Sequence, residues 1–352
     1  MKLKKLIALG LATVMSASML VGCGAKSDSN ASTDTTDNGD KVFKVGMITD
    51  TGGVNDESFN QSTWKGFQDA QEKFGKDKLE IKYLESKQDA DYVQNIDTFA
   101  DEGMDLIVGV GFKLQSAITE AAKNYPEQQF ALIDAVCEGE QPENVTSLLF
   151  EDNASAYLTG LIAGRMTETN KVGFIGGMES PVISKFDYGF RAGVKAANPD
   201  AEVMVQYANS FTDSALGKTI ANQMHSKNAD IIFTCAGAVG IGAIEAAKEN
   251  GKKAIGVDQD QNALAPKNVI TSAMKNIDVA VVELLSKVVD GSYKGGEVII
   301  NTLAMNGVGI PQSSEKNVPP DVLKYVIEEA EKVKSGEVKV PATKEEFEQL
   351  NK

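Results

Sequence analysis

The chain has 352 residues, with 35 Lys plus Arg against 50 Asp plus Glu and a formal charge of −15. Its 42% apolar and 24% charged residues fit a soluble globular protein and exclude a disordered, collagenous or polytopic membrane chain. The acidic balance argues against a sequence-independent grip on nucleic acid and against electrostatic docking on an anionic bilayer; the length favours two domains of roughly 150 residues over one core.

Residues 1–22 read as an export signal. Lys2, Lys4 and Lys5 precede an apolar run from Leu6 to Val21. That run is shorter than the roughly 20 residues a spanning helix needs. It closes on Leu20-Val21-Gly22-Cys23, which resembles the lipobox of bacterial lipoproteins: small residues before a Cys that is lipidated and becomes the new N-terminus. An ordinary signal peptide followed by an unrelated Cys is the alternative. Removing residues 1–22 takes away three Lys and no acid, which moves the charge from −15 to −18. Buried acyl methylenes contribute about 0.8 kcal/mol each, so two or more chains on Cys23 hold a protein firmly to a membrane. Residues 24–40, mostly Ser, Thr, Asp, Asn, Gly and Ala, carry no large apolar side chain and read as a flexible linker. No other long uncharged apolar run follows.

In the body, short apolar runs alternate with helical patterns. The predicted strands, in order, are Val42–Thr49, Leu79–Leu84, Leu106–Val110, Phe130–Ile133, Val145–Leu149, Val172–Gly176, Glu202–Tyr207, Ile231–Thr234, Ala254–Val257 and Val269–Ala273. Several are almost wholly apolar, as strands covered on both faces must be. A helix is predicted after Ser58-Phe59-Asn60-Gln61, whose spacing resembles a capping box, with Trp64, Phe67 and Phe74 on one face. Further stripes are Leu114, Ala117, Ile118, Ala121 and Tyr125, then Ile183, Phe186, Phe190, Val194 and Ala197, and last Val322, Tyr325, Val326, Ala330 and Val333. These aromatics read as core. The alternation predicts an α/β fold with two doubly wound parallel sheets and right-handed crossovers. Ligands of such sheets bind beyond the carboxyl ends of the strands.

The residues at those ends are therefore informative. Asp50-Thr51-Gly52-Gly53-Val54-Asn55 follows the first strand, and Phe59 falls where a helix start needs no ring; Asp50 and Asn55 also suit a plain turn. Asp134 ends an apolar strand, where an acid needs a partner: a ligand N–H, a helix cap or a salt bridge. Phe211 opens a loop, Gly237 lies in a run of small residues that lets a ligand near the backbone, and Asp258 and Lys275 each follow a strand. Catalytic constellations are missing. His225, the single His, lies in a polar helix end and reads as a surface residue, so no Ser-His-Asp or Cys-His arrangement forms. There is no Walker motif or Cys-x-x-Cys. Asp258-Gln259-Asp260-Gln261-Asn262 starts like a calcium loop but has Ala263 where Gly belongs and Val269 where Glu belongs. Neither a cofactor nor a metal is expected. Cys137 and Cys235 read as two buried thiols, although an exported protein permits a disulfide.

Five stretches, in order, carry a family resemblance: Asn55-Asp56-Glu57-Ser58-Phe59-Asn60-Gln61, Val172-Gly173-Phe174-Ile175-Gly176-Gly177-Met178, Gly189-Phe190-Arg191-Ala192-Gly193, Ile255-Gly256-Val257-Asp258-Gln259-Asp260-Gln261 and Thr271-Ser272-Ala273-Met274-Lys275-Asn276. With the lipobox, they resemble the basic membrane protein family of bacterial lipoproteins, which includes purine nucleoside receptors of ABC transporters. The resemblance implies a type I periplasmic-binding-protein fold, with an N-terminal lobe of 41–149 plus about 272–298 and a C-terminal lobe of 150–271 plus about 299–345, around a hinge. It implies no enzyme but a lipid-anchored extracytoplasmic receptor that passes a nucleoside to a permease with its ATPase. A monomer is the expected state of a receptor that opens and closes. By the same resemblance, Phe59 and Phe211 sandwich the base and Asp134 reads its edge. Asp258 and Lys275 hold ribose with Gly237 offering backbone, and Asp50, Thr51 and Asn55 line the first lobe's wall. Ala238 stands where the family pattern has a second Gly, and Val239 is bulky for a ligand wall. The rival readings are a sugar receptor of the same fold and a surface signalling or adhesion lipoprotein without transport.

Overall fold

A computed structural model describes residues 41–350; the expected signal, Cys23 and the linker lie outside the described residues. The first sheet contains β1 (Phe43–Ile48), β2 (Leu79–Leu84), β3 (Leu106–Val110), β4 (Gln129–Ile133) and β5 (Val145–Phe150). Its crossovers run through α1 (Phe59–Phe74), α2 (Asp91–Asp101) and α3 (Gln115–Asn124). After α4 (Asp152–Met166) the second sheet begins with β6 (Lys171–Gly176), α5 (Pro181–Ala197), β7 (Glu202–Tyr207), α6 (Ser214–Ser226) and β8 (Ile231–Cys235). It continues through α7 (Ala238–Glu249), β9 (Lys253–Asp258) and β10 (Val269–Lys275). The chain then returns: α8 (Ile277–Val289) packs on α1, and β11 (Val298–Asn301) joins the first sheet beside β5. β12 (Val308–Gly309) pairs with β10, and α9 (Pro320–Lys334) and α10 (Lys344–Gln349) close the chain.

The strand orders are β11-β5-β4-β3-β1-β2 and β12-β10-β9-β8-β6-β7. Every pairing is parallel except β10 with β12. β3 and β8 are buried at all five positions, as central strands covered by helices on both faces require. The ten predicted strands lie within two residues of those observed. β11 and β12 were not predicted. Val298 and Ile300 of β11 are exposed on the sheet edge and β12 has two residues, so neither leaves a buried pattern.

The chain crosses between the sheets after Phe150, after Lys275 and after Asn301. The expected crossings near 272 and 298 fall about three residues early, because β10 continues to Lys275 and β11 begins only at Val298. His225 is buried rather than on the surface: its Nδ1 lies 2.9 Å from the Ala229 carbonyl at the end of α6, and burial pushes its pKa down.

α4 is buried on every side from Asp152 to Gly164, so it shows no amphipathic stripe. It packs on α5 backbone to backbone. A Cβ on Gly160 would lie 2.2 Å from the Phe190 carbonyl oxygen, and one on Gly193 would lie 2.1 Å from that of Tyr157. Neither oxygen can give way without moving a helix. Gly193→Ala is expected to destabilise the protein by about 1–3 kcal/mol or more, read as a lowered denaturation midpoint, whereas Gly103→Ser, facing open space at a positive φ, should cost less.

Candidate functional site

The first wall of the site is the loop from β1 to α1. Asp56, not Ser58, caps α1: its carboxylate accepts the backbone N–H groups of Ser58 (3.0 Å), Asn60 (2.8 Å) and Gln61 (3.0 Å). The predicted capping box therefore does not form. A charged acceptor next to the helix N-terminus is the stronger partner for those donors. Gln61 accepts the Glu57 N–H instead, and the Ser58 hydroxyl is free to reach Asp258. The Asn60 side-chain amide bridges Asp50 Oδ1 (2.8 Å) and Asp56 Oδ2 (2.9 Å), which aims Asp50 at the pocket. Burial raises the Asp50 pKa, against the opposing N–H of Gly52 and the Asn60 amide.

The second wall lies at the carboxyl ends of the second sheet. Phe211 packs against Gly177, where any Cβ would strike its ring, and its carbonyl accepts the Ala238 N–H at 2.8 Å. Gly237 supports this turn at φ +54° and lines the pocket. Val239 points into the core between α6, α7 and the sheet rather than into the ligand wall; the substitution next to Gly237 leaves the wall uncrowded by Val239.

The two walls meet. Ser58 Oγ hydrogen-bonds Asp258, Gln261 Nε2 donates to the Glu57 carbonyl at 2.7 Å, and the rings of Phe112 and Phe211 lie edge to face at 6.3 Å. Lys275 Nζ lies 2.5 Å from Asp134 Oδ2 of the opposite sheet and 3.0 Å from Asp152 Oδ1. Phe59, Phe150 and Phe186 surround the ammonium, with ring centroids 5.2–5.4 Å away, within range for cation–π attraction. Burial alone would lower the Lys275 pKa; Asp134, Asp152 and Asp258 together reverse this and hold it above the ordinary value. Burial pushes Asp258 up to about 6, opposed by Lys275 and the Ser58 hydroxyl. Glu57, Asp134 and Asp258 all adopt positive φ, at 52°, 64° and 65°. Asp tolerates this region better than most residues, and the turn redirects both acids from their strand ends into the cleft.

With the walls in contact, the cavity between them is about 60 Å³, well below the several hundred Å³ of an occupied small-molecule site. Seven of the nine expected residues line it: Asp50, Phe59, Asp134, Phe211, Gly237, Asp258 and Lys275. Thr51 is half-buried and Asn55 exposed, and neither contributes to the lining. Asp134 and Lys275, expected on different parts of a ligand, form one ion pair. Sequence reasoning missed Phe186 and Ile183, which it placed in a core stripe; they serve core and pocket together. It missed Phe112, Asn60 and Asp152 as well; an acid at the first turn of a helix that closely follows a strand was the available signal for Asp152. Cys235 lines the pocket as a free buried thiol, and Cys137 is also free and buried. Among the described residues, no group of three or more His, Cys, Asp or Glu side chains is placed to hold a metal ion, and no helix is long and apolar enough to cross a membrane.

Two parallel sheets joined by three crossings, with a pocket between their carboxyl ends, define the type I periplasmic-binding-protein fold. The chain matches the family described as "ABC transporter substrate-binding protein PnrA-like" over residues 43–344, and it belongs to that family. It is 41% identical to the CD4+ T-cell-stimulating antigen of Listeria innocua, over 96% of this chain and 99% of that protein. It is 36% identical to the ABC transporter nucleoside-binding protein BmpA of Lactococcus lactis, again over 96% and 99%. An ABC transporter solute-binding protein from Aeropyrum pernix superposes with a TM-score of 0.80 at 28% identity, covering 88% of this chain and 96% of that one.

The raised pKa of Asp258 sets a pH dependence. A carboxyl held at about 6 in the folded state and near 3.9 when unfolded binds more proton folded than unfolded between those values, so its contribution to stability falls as pH rises through that window. Asp258→Asn removes this slope. Denaturant titrations at pH 4, 6 and 8 should show the variant gaining on the parent from pH 4 to 6 and levelling off above; a constant difference would refute the assignment.

Proposed function

We propose that the protein is a lipid-anchored extracytoplasmic receptor that captures nucleosides, purine nucleosides first, and delivers them to an ABC permease and its ATPase. The observation that carries this reading is the pairing of aromatic rings with carboxylates in one closed pocket. Phe59, Phe186 and Phe211 supply flat apolar faces, while Asp50, Asp134 and Asp258 supply acceptors. A nucleoside has a base to stack and N–H and O–H donors on both base and ribose. Stacking on an aromatic ring contributes about 1–3 kcal/mol per base, and hydrogen bonds to charged acceptors about 1.5–3 kcal/mol each. The name of the Lactococcus relative agrees. Asp134 and Lys275 would act as one subsite on the ligand's polar edge, with Asp258 and Asp50 on the remaining hydroxyls or N–H groups.

The mechanism is hinge closure. Each lobe brings acids and rings to the ligand, so bound ligand favours the closed form through contacts that only that form makes. The closed pair of lobes is the surface a permease reads, and Cys23, through its acyl chains, keeps the receptor at the membrane.

Calorimetric titration of the detergent-solubilised protein, stripped by unfolding and refolding, tests the reading with inosine, guanosine, adenosine, uridine and ribose. Purine nucleosides should bind and ribose should not; binding of ribose alone would turn the site over to sugars. Phe59→Ala should weaken nucleoside binding about tenfold to a hundredfold with little change in Tm. For the anchor, Cys23→Ser should shift the protein from the membrane fraction to the soluble one, and an unchanged distribution would exclude lipidation at Cys23.

A further inference from the structure

We propose that Asp152, which does not line the pocket, is a positioning residue for ligand binding, acting through Lys275 as its ion-pair partner within the second lobe. The proposal rests on the receptor reading above and adds a residue to it. Asp152 is the first residue of α4, directly after the first crossing, and Lys275 is the last residue of β10, directly before the second. Two of the three interlobe connections thus contribute one charge each to a single pair. Both side chains are 1% exposed, so neither has water as a substitute partner.

The neighbouring crossings are tied in as well. Glu151 accepts the Leu303 N–H at 2.8 Å through its carboxylate and donates its own N–H to the Asn301 carbonyl at 3.1 Å, across the third crossing. The Glu151-Asp152 dipeptide therefore joins all three connections.

Lys275 has a second carboxylate, Asp134, but that residue belongs to the first sheet. Any opening of the cleft separates Lys275 from Asp134. Asp152 moves with Lys275, because α4 packs on α5 and on β10. In the open form Asp152 is then the counter-charge that keeps the ammonium at the hinge, between Phe150 and Phe186, ready for Asp134 and the ligand. An ammonium has three N–H donors; Asp134 accepts one, and Asp152 pairs with the charge without accepting another, which leaves donors for a ligand oxygen. The geometry at Asp152 fits this role. Oδ1 lies 3.0 Å from Nζ, off the line of a hydrogen bond, and Oδ2 is buried without a partner. Lys185 of α5 adds positive potential nearby, but its Nζ points to the Phe150 carbonyl at 3.4 Å. A buried carboxylate whose two oxygens accept no hydrogen bond is costly to keep, and a purely structural role would be served better by an apolar side chain.

A double-mutant cycle tests the assignment. Asp152→Asn should weaken inosine binding roughly tenfold or more in the parent, and by less than about twofold in the Lys275→Met background. Asp152→Glu should give a smaller loss that Lys275→Met also suppresses, and it serves if the Asn variant fails to fold. Equal losses in both backgrounds, or a lowered Tm with unchanged affinity, overturn the proposal. If the parent binds no nucleoside, the receptor reading fails by itself, and the Asp152 assignment is read without ligand from the ¹⁵Nζ resonance of Lys275. Its ammonium protons should exchange slowly in the parent and at least tenfold faster in Asp152→Asn; identical exchange refutes the pairing.

Discussion

A buried ammonium sets the terms for the rest of this structure. Lys275 sits where transfer from water carries a large desolvation penalty, and a single carboxylate does not reliably offset it. Here three acids from different elements surround it: Asp134 after β4, Asp152 at the start of α4 and Asp258 at the end of β9. Their convergence requires the carboxyl ends of the two sheets to face each other, and it requires three strand ends to meet at one point. Two of those acids reach it only by turning through positive φ. Such strain, at sites that face a cleft, is what a functional constraint leaves behind.

The same group links fold to motion. The contacts across the cleft are few and mostly polar, Ser58 with Asp258, Gln261 with the Glu57 carbonyl and Lys275 with Asp134, beside the ring contacts of Phe112 with Phe211 and of Phe59 with Lys275. None is a large apolar surface, so separating the lobes exposes little core and exchanges polar partners for water. The hinge is firm by contrast, because Glu151 and Asp152 tie the three crossings together and α4 is locked on α5 through glycine contacts. A stiff hinge between weakly joined faces favours rotation of whole lobes over local unfolding. A ligand with donors for both faces then supplies the differential affinity that closure needs.

Much of this was legible in the chain, for definable reasons. Strands buried on both faces write continuous apolar runs, so the central strands and the parallel two-sheet architecture could be read directly, while the edge strands β2 and β7 left shorter, partly polar ones. Their ends then pointed to Asp50, Asp134, Asp258 and Lys275, because an ionisable residue after an apolar run needs a partner. What escaped had no local signature. α4 is buried all round and shows no stripe; β11 lies on an edge with exposed Val298 and Ile300. Phe186 obeys a core period while also facing the ligand space. Ser58 has the spacing of a cap, yet Asp56 takes that role, and only the fold shows that the freed hydroxyl meets Asp258 two hundred residues away. The pairing of Asp134 with Lys275 is likewise a fact of closure, invisible to either segment alone.

The charge arithmetic of the pocket bears on which ligands it can accept. Asp50, Asp56, Asp134 and Asp258 face or border the cavity, and the single ammonium among its lining side chains is shared between two carboxylates. A phosphate group would have to take Lys275 from both and sit beside the remaining acids, in surroundings that already hold Asp258 partly protonated near neutrality. Donor-rich neutral molecules meet the opposite situation: each N–H or O–H relieves a carboxylate that burial has stripped of water. The acids that make the empty cleft costly to close are therefore the source of its selectivity, since only a ligand bringing donors to both walls lowers that cost.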